Sequence, residues 1–209
     1  MGTVSALAAS GLFTRALASA CGITPKQTKG PFYPVADQLD KNTDLTWVEG
    51  HASRAKGQVV TVRGIVQDQF CKPVSGALVE IWQACESGRY NHPQDTNTAP
   101  VDPDFQYWGQ ALTDAQGNYS FKTIVPGAYP ADVGWTRPPH IHFRVTRLGY
   151  HEMITQLYFE GDPLNDQDKI LLAIPAGERK SVVVPLVDAT PELEVNSKTA
   201  EFSLTIQKA

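Results

Sequence analysis

Short segments of alternating apolar and polar residues, separated by turns, are the feature that most limits what this chain can fold into. About seven or eight such segments follow one another from residue 58 onward, and 16 Gly and 15 Pro supply turn residues. A period of two residues is that of a β-strand with one buried face. The pattern therefore predicts an all-β fold, a two-sheet β-sandwich with little helix.

The same period places the individual elements. A hairpin is predicted over 112–121, with Asp114 and Gly117 as its turn residues. One short helical turn is predicted over 165–172, capped by Asn165 or Asp166. We expect further strands, in chain order, over 59–67, 76–83, 140–147, 152–160, 181–187 and 202–206.

The 209 residues suit one domain of ordinary size with an N-terminal extension. We expect a β-sandwich domain over 58–209 and, before it, an extended arm over 23–57, where the periodicity is weak. Residues 1–22 are rich in small residues, and Ala18-Ser19-Ala20 is similar to a signal-peptide cleavage site, although Arg15 interrupts the apolar run. This segment is either an export-signal remnant or an N-terminal helix, so both a cytoplasmic and an exported location stay open.

Charge and hydropathy exclude two classes of partner. The net charge is −4 and the chain has no block of basic residues, so we expect no binding to nucleic acid, which depends on neutralising phosphates. No stretch of 18 or more apolar residues occurs, so no membrane span is predicted.

The three cysteines, Cys21, Cys71 and Cys85, allow at most one internal disulfide. Cys71 lies in a predicted turn and Cys85 lies near the far end of the strand that follows. About eight extended residues separate those ends by ~25 Å, which is beyond disulfide reach. Any bridge is therefore expected to include Cys21.

Two long loops carry aromatic residues. The loop over 84–109 contains Tyr90, and the loop over 125–139 contains Tyr129 and Arg137. Loops of this length in a compact domain are usually functional or disordered, and aromatic residues argue against disorder. We expect both loops to form a cleft at the surface of the sandwich.

His140 and His142 lie one residue apart in a predicted strand, so both imidazoles point to the same face. An isolated His-x-His pair can simply decorate a solvated strand. Together with Tyr90 and Tyr129, however, the pair offers two imidazoles and two phenols to one metal ion. Phenolate is a hard anionic donor and suits a hard ion such as Fe(III) better than it suits Zn(II) or Cu(I).

Several motifs resemble those of the intradiol ring-cleavage dioxygenases and, within them, the iron-binding (beta) subunit of the protocatechuate-cleaving members. Together the motifs extend over roughly residues 30 to 165, and their joint occurrence is highly specific. They are Gly-Pro-Phe-Tyr-Pro at 30–34, the segment 73–84, Gly-Arg-Tyr-Asn-His at 88–92, the segment 113–124, Pro-Gly-Ala-Tyr-Pro at 126–130, Arg-Pro-Pro-His-Ile-His-Phe at 137–143, and the segment 155–163.

The resemblance implies a non-haem Fe(3+) centre held by Tyr90, Tyr129, His140 and His142, with Tyr129 and His142 as the axial pair. It also implies that Arg137 and Gln156 lie against the substrate ring. The implied substrates are a catecholic compound, protocatechuate-like or catechol, and O₂, and the implied product is a cis,cis-muconate type diacid. The domain over 58–209 would then be catalytic. His92 and His151 match no ligand position of the family.

Charge balance gives a reason for two tyrosines. Two phenolates and one hydroxide neutralise Fe(III), and a catechol dianion can replace the hydroxide and one tyrosinate without changing that sum. Our hypothesis is that Tyr129 exchanges in this way and accepts a catechol proton. Ala131 stands where a tryptophan is typical of the subunit that this chain resembles, and this difference widens the expected pocket.

One alternative comes from another functional class. The segments 64–77 and 113–121 also resemble the transthyretin-like sandwich of non-catalytic binding modules. Such a module has no use for the Tyr90, Tyr129, His140 and His142 set, which therefore discriminates the two. The sequence does not determine which catechol is bound, or the oligomeric state, for which a homo-oligomer is one possibility.

Overall fold

The computed structural model describes residues 21–38, 40–190 and 193–209. Strands dominate this part of the chain, as the sequence predicts. They are β1 (Val59–Asp68), β2 (Leu78–Trp82), β3 (Trp108–Leu112), β4 (Asn118–Ile124), β5 (Tyr129–Asp132), β6 (Trp135–Arg137), β7 (His140–Thr146), β8 (Met153–Phe159), β9 (Val183–Val184), β10 (Val187–Asp188), β11 (Lys198–Glu201) and β12 (Leu204–Ile206).

Two sheets pack face to face. In the first sheet, β1 pairs with β4 on one side and with β11 and then β12 on the other, and β10 extends the sheet beyond β11. The second sheet has the order β3-β2-β7-β8-β9. Strands β5 and β6 form a separate hairpin. The fold is thus the expected two-sheet sandwich.

The core lies between the inner faces of the two sheets. Strand β7 contributes Ile141, Phe143 and Val145, each fully buried, while β1 contributes Val60 and Val62 from the opposite sheet. Burying each of these side chains stabilises the fold by about 1.5–3 kcal/mol. Because side chains alternate along a strand, the even-numbered residues of β7 must point out of the sandwich.

The structure corrects the predicted hairpin over 112–121. The turn is present, with the Gly117 amide bonded to the Asp114 carbonyl at 3.1 Å. The strands on either side do not pair, however, because β3 joins β2 in one sheet and β4 joins β1 in the other. The turn crosses between the sheets, and turn chemistry alone does not specify that choice.

The predicted helical cap is also wrong. A 3₁₀ helix spans Pro163–Gln167 and the helix α1 spans Lys169–Leu172. Neither Asn165 nor Asp166 is a cap: the Asp162 side chain caps the 3₁₀ helix and the Asp168 side chain caps α1. Within the described residues, no helix is both long and apolar enough to cross a membrane.

The described residues between 21 and 57 form an arm that contacts both sheets and makes one isolated bridge, between Asp44 and Lys122 of β4. The Gln27 amide donates to the Ile154 carbonyl at 2.8 Å, and the Thr24 amide donates to the Thr205 carbonyl at 3.1 Å. The prediction of a leader or helix over 1–22 falls almost entirely outside the described residues. The boundaries at 22 and 57 stay predictions.

A disulfide between Cys21 and Cys71 ties the start of this arm to the turn after β1, with the two Cα atoms 5.3 Å apart. Cys85 is free and buried. The expectation that a bridge includes Cys21 is therefore confirmed.

We predict that Cys21→Ser lowers the free energy of unfolding by about 2–4 kcal/mol, because the bridge closes a long loop in the unfolded chain. Chemical denaturation measures the change, and Cys71→Ser and the double variant are the matched controls. All three variants should lose the same amount. A double variant that loses much more than either single variant would contradict the pairing.

Candidate metal centre and substrate pocket

The register of the second sheet assembles the site on its outer face. His142 lies opposite Trp82 on β2 and opposite Gln156 on β8, while His140 lies opposite Tyr158. The His142 ring stacks on Trp82 with centroids 4.8 Å apart and planes 10° apart. Cross-strand neighbours on one face are within contact distance. Pairing of the strands therefore fixes both histidines beside the polar groups of β8.

The four residues predicted as metal donors come together at this face. Ring centroids are separated by 5.0 Å between His140 and His142, 5.6 Å between Tyr129 and His140, 5.6 Å between Tyr90 and Tyr129, and 6.4 Å between Tyr90 and His142. All four side chains are buried. Tyr90 and His142, the first and last of the four in the sequence, are 52 positions apart, yet all four side chains form one compact group. This arrangement can place four donor atoms around one ion.

A close backbone contact joins the loops that carry the two tyrosines. Gly88, with a φ of 81°, lies so near the next loop that a Cβ there would be 2.3 Å from the Ala128 carbonyl oxygen. The Gly88 and Gly127 amides both donate to the Cys85 carbonyl, at 2.9 and 3.0 Å. Only glycine tolerates this combination of positive φ and close approach. The contact holds Tyr90 and Tyr129 on facing loops.

Both histidines are held neutral. Burial lowers the pKa of His140 and that of His142 well below the usual range, and the positive charge of Arg137 lowers both further. His140 Nδ1–H donates a hydrogen bond to the Pro138 carbonyl at 2.7 Å, so Nε2 carries the lone pair. A carbonyl partner of this kind orients imidazole ligands in metal sites.

The two phenols differ in their surroundings. Burial, followed by the charge of Tyr129, raises the pKa of Tyr90 well above its ordinary value. Burial also raises the pKa of Tyr129, and the positive charge of Arg137 opposes the upward shift at both phenols.

The donor set fits a hard, highly charged cation. Nine buried side-chain polar atoms in the described part of the chain have no hydrogen-bond partner, and two of them, Tyr90 Oη and His142 Nδ1, belong to the donor group. Leaving such groups unpaired costs about 1–3 kcal/mol each, and a bound ion is one way of offsetting that cost. Among the described residues no three His, Cys, Asp or Glu side chains form a metal cluster. A metal here therefore depends on the phenols, which favour a ferric ion.

Arg137 connects the donors to a buried hydrogen-bond network. Its Nε donates to Asp168 at 2.9 Å, and its Nη2 donates to Gln156 Oε1 at 2.9 Å and to Tyr158 Oη at 3.0 Å. Its Nη1 lies 3.1 Å from His140 Nε2. Burial alone would lower the pKa of Arg137, but the hydrogen bonds to Asp168, together with the charges of Tyr158, Tyr129 and Asp168, raise it above the ordinary value. The guanidinium is a fixed cation beside the donors.

Residues of the arm complete this hydrogen-bond network. Gln27 Nε2 donates to Tyr158 Oη at 2.9 Å, and Gln27 Oε1 accepts the Gln156 backbone N–H at 2.9 Å. The Thr28 carbonyl accepts from Gln156 Nε2 at 2.9 Å. Every polar group of the Gln156 side chain is thus used inside the protein, which fits a positioning role for this residue.

Sequence reasoning missed Asp168, Tyr158 and Gln27. Asp168 had a detectable signal, since it directly precedes the run Lys169-Ile170-Leu171-Leu172 and caps that helix through Ile170 and Leu171 amides. Tyr158 and Gln27 had no signal without the strand register. His151 is exposed, and His92 lies 5.7 Å from the Phe32 ring with its Nδ1 accepting from the Gln94 amide. Neither histidine joins the donor group.

A cavity of about 500 Å³ opens onto the group. Its walls come from the arm, from both aromatic loops and from α1, so every long loop predicted to be functional contributes. The lining residues are Thr28, Gly30, Pro31, Phe32, Asp95, Thr96, Asn97, Thr98, Tyr129, Pro130, Ala131, Trp135, Arg137, His142 and Ile170.

We predict that Asp168→Ala lowers the free energy of unfolding by about 3–5 kcal/mol, because it leaves the Arg137 cation buried without a counter-charge. The variant also loses the cap of α1. Urea denaturation measures the change. Asp166→Ala, on the exposed side of the adjacent 3₁₀ helix, is the control and should be close to neutral. Equal effects of the two substitutions would contradict a structural role for the ion pair.

Comparison with known proteins identifies the family and the fold. Residues 28–207 match the family Dioxygenase_C, described as Dioxygenase. The protocatechuate 3,4-dioxygenase beta chain of Burkholderia cepacia is 40% identical over 157 residues, covering 73% of this chain and 66% of that protein. The chain spans between 39% and 66% of the length of the curated relatives that it matches.

Solved structures show the same fold. The dioxygenase domain of a dioxygenase carbohydrate-binding protein fusion from Streptomyces sp. SirexAA-E superposes with a TM-score of 0.65 at 28% identity, covering 90% of this chain and 100% of that one. The 3-chlorocatechol 1,2-dioxygenase of Rhodococcus opacus 1CP superposes with a TM-score of 0.71 at 24% identity, covering 89% and 73%. The match over most of the sequence, the identity to named relatives and the shared fold show that this chain belongs to the intradiol ring-cleavage dioxygenase family.

Proposed function

We propose that this chain is a non-haem Fe(III) intradiol dioxygenase that cleaves a catecholic ring with O₂ to a cis,cis-muconate type diacid. The observation that carries the proposal is the burial of two phenols and two imidazoles in one group beside Arg137, at the base of a cavity of about 500 Å³. Family membership supports the same reaction, since the relatives are named catechol, chlorocatechol and protocatechuate dioxygenases.

Tyr90, Tyr129, His140 and His142 would hold the iron. The ferric ion, when bound, supplies the Lewis acidity that binds both catecholic oxygens and prepares the ring for reaction with O₂. The two neutral imidazoles are already in the protonation state that a ligand needs. The two phenols would lose their protons on binding, and their negative charges would offset most of the charge of the ion.

Tyr129 is the residue suited to accept a proton from the substrate. Tyr129 lines the cavity, whereas Tyr90 does not. The positive charge of Arg137 also opposes the rise in the pKa of Tyr129 that burial causes. A catechol hydroxyl that enters the cavity could therefore give its proton to Tyr129 Oη.

Arg137 would stabilise negative charge on the ring as it reacts. The guanidinium is fixed by Asp168, Gln156 and Tyr158, so no reorganisation is needed when charge develops. Its Nη1 lies 3.1 Å from His140 Nε2 and would be available to another acceptor if that nitrogen held a metal. Arg137 also lines the cavity where the ring would lie.

The non-catalytic binding-module alternative has no support from these contacts. A binding module gains nothing from burying two unpaired imidazole and phenol atoms behind a fixed cation. The transthyretin-like appearance of segments 64–77 and 113–121 reflects the sandwich itself, which hosts both classes.

We predict that Arg137→Ala lowers the turnover of a catechol by about 100-fold or more in the iron-loaded protein, because it removes the fixed positive charge beside the ring. Oxygen uptake with a panel of catechols measures the rate. Arg63→Ala is the control, since Arg63 pairs with Glu201 on the exposed side of the first sheet. Absence of oxygen uptake by the parent protein with every catechol would contradict the proposed function.

We predict that the iron-loaded protein is red-brown, because tyrosinate bound to Fe(III) has a charge-transfer band in the visible range. Tyr129→Phe should retain iron, weaken this band and bind catechol more slowly than the parent. Metal analysis, visible absorption and stopped-flow mixing without oxygen measure these properties. Tyr33→Phe is the control, because Tyr33 is a tyrosine on the arm and lies outside the donor group. A Tyr129→Phe protein that binds catechol at the parent rate would contradict the proton-accepting role.

A further inference from the structure

The charges around the cavity carry information about the substrate that the donor group does not. The lining contains one cation, Arg137, and one anion, Asp95. The remaining lining residues, apart from the two donors, are uncharged and contribute apolar, hydroxyl and amide surface. A substituent on the catechol ring therefore meets an electrostatic field set by these two side chains.

The charge of Arg137 is already balanced. Its Nε and Nη2 donate to the two carboxylate oxygens of Asp168 at 2.9 and 3.2 Å, and Asp168 is fully buried. A close, desolvated ion pair of this kind has a weak field at a distance. Arg137 can act on groups that touch it, but it offers little attraction to a carboxylate elsewhere in the cavity.

The charge of Asp95 is not balanced in the same way. Its Oδ2 accepts the Tyr90 backbone N–H at 2.7 Å and its Oδ1 accepts the Asn97 backbone N–H at 2.8 Å. Backbone donors stabilise the carboxylate without cancelling its charge. Within the described residues no Lys, Arg or His forms an ion pair with Asp95. One wall of the cavity is therefore negative.

Two lysines lie near the cavity but outside its lining. The Nζ of Lys29 lies 4.8 Å from the ring centroid of Tyr33, another residue of the arm. Lys169 is exposed, and its Nζ lies 4.8 Å from the ring centroid of Trp135. Neither lysine is among the residues that line the cavity.

We propose that Asp95 is a specificity-determining residue, which makes this site select catechols with uncharged or cationic ring substituents over catechols that carry a carboxylate. The inference rests on the proposed function and narrows its substrate class. Like charges on a ligand and a wall repel, and the repulsion is larger in a partly enclosed cavity than in water. A ring substituent can lie beside Ala131 or beside the hydroxyl groups of Thr96 and Thr98. None of these side chains supplies a cation.

The test is the ratio of kcat/KM for 4-methylcatechol to kcat/KM for protocatechuate, measured by oxygen uptake on the iron-loaded full chain. The two compounds differ chiefly in the charge of one substituent. The parent protein should favour 4-methylcatechol by about tenfold or more, and the preference should shrink as ionic strength rises. Anaerobic titration of both compounds should show the same preference in affinity.

Two variants separate charge from packing. Asp95→Asn removes the charge, and Thr96→Lys adds a cation to the same rim; each should lower the ratio by about threefold or more. Asp188→Asn removes one charge from the exposed strand β10, which is distant in sequence from Asp95. This variant is the matched control and should leave the ratio unchanged. Circular dichroism checks that each variant folds. If Asp95→Asn displaces Tyr90, Thr96→Lys still tests the effect of charge on the ratio.

The outcomes distinguish this inference from the function on which it rests. A shift in both variants with no shift in the control supports the role of Asp95. Turnover of both compounds with a ratio near or below one, or with variants that match the parent, overturns the inference and leaves the dioxygenase proposal standing. No turnover of any catechol overturns both.

Discussion

The alternation of side chains along β7 is the constraint on which the rest of the structure depends. One face of the strand supplies Ile141, Phe143 and Val145 to the core between the sheets, and the other face carries His140 and His142. A shift of one residue in register would bury the imidazoles in the core and expose the apolar set. The free energy that stabilises the sandwich therefore also holds both histidines in place.

A second packed layer then forms over the outer face of that sheet. Its centre is a cluster of buried aromatic residues that includes Trp82, Tyr90 and Tyr129, and the arm contributes Phe32. This layer excludes water from the donors and gives the phenols and imidazoles their shifted pKa values. The disulfide at Cys21 anchors the start of the arm, and the arm in turn bonds to Gln156 and Tyr158. The disulfide, the arm and the hydrogen-bond network around Arg137 are thus continuous.

Local sequence pattern predicted most of the longer strands, the shared face of the two histidines and the bridge to Cys21, because each depends on the period of a strand or the reach of a chain. It did not predict β5 and β6, which lie in the segment 125–139 that was expected to be a loop. It did not predict which sheet β3 and β4 would join, since a turn at Asp114 permits either. It also placed the helix cap on the wrong residue and so missed Asp168, whose importance appears only when Arg137 is known to lie beside it. The short strand β11 has the sequence Lys-Thr-Ala-Glu, which has little strand signal of its own and forms through pairing with β1. The grouping of the two tyrosines with the histidines came from resemblance to a family and not from any period in the chain.

The account stands on the convergence of four donor atoms at one ferric ion. Crystals of the iron-loaded protein, measured on both sides of the iron absorption edge, test this most directly. We expect one anomalous peak within bonding distance of the oxygens of Tyr90 and Tyr129 and of one nitrogen each from His140 and His142. A peak located elsewhere, or one bound by fewer than three of these four residues, would contradict the account.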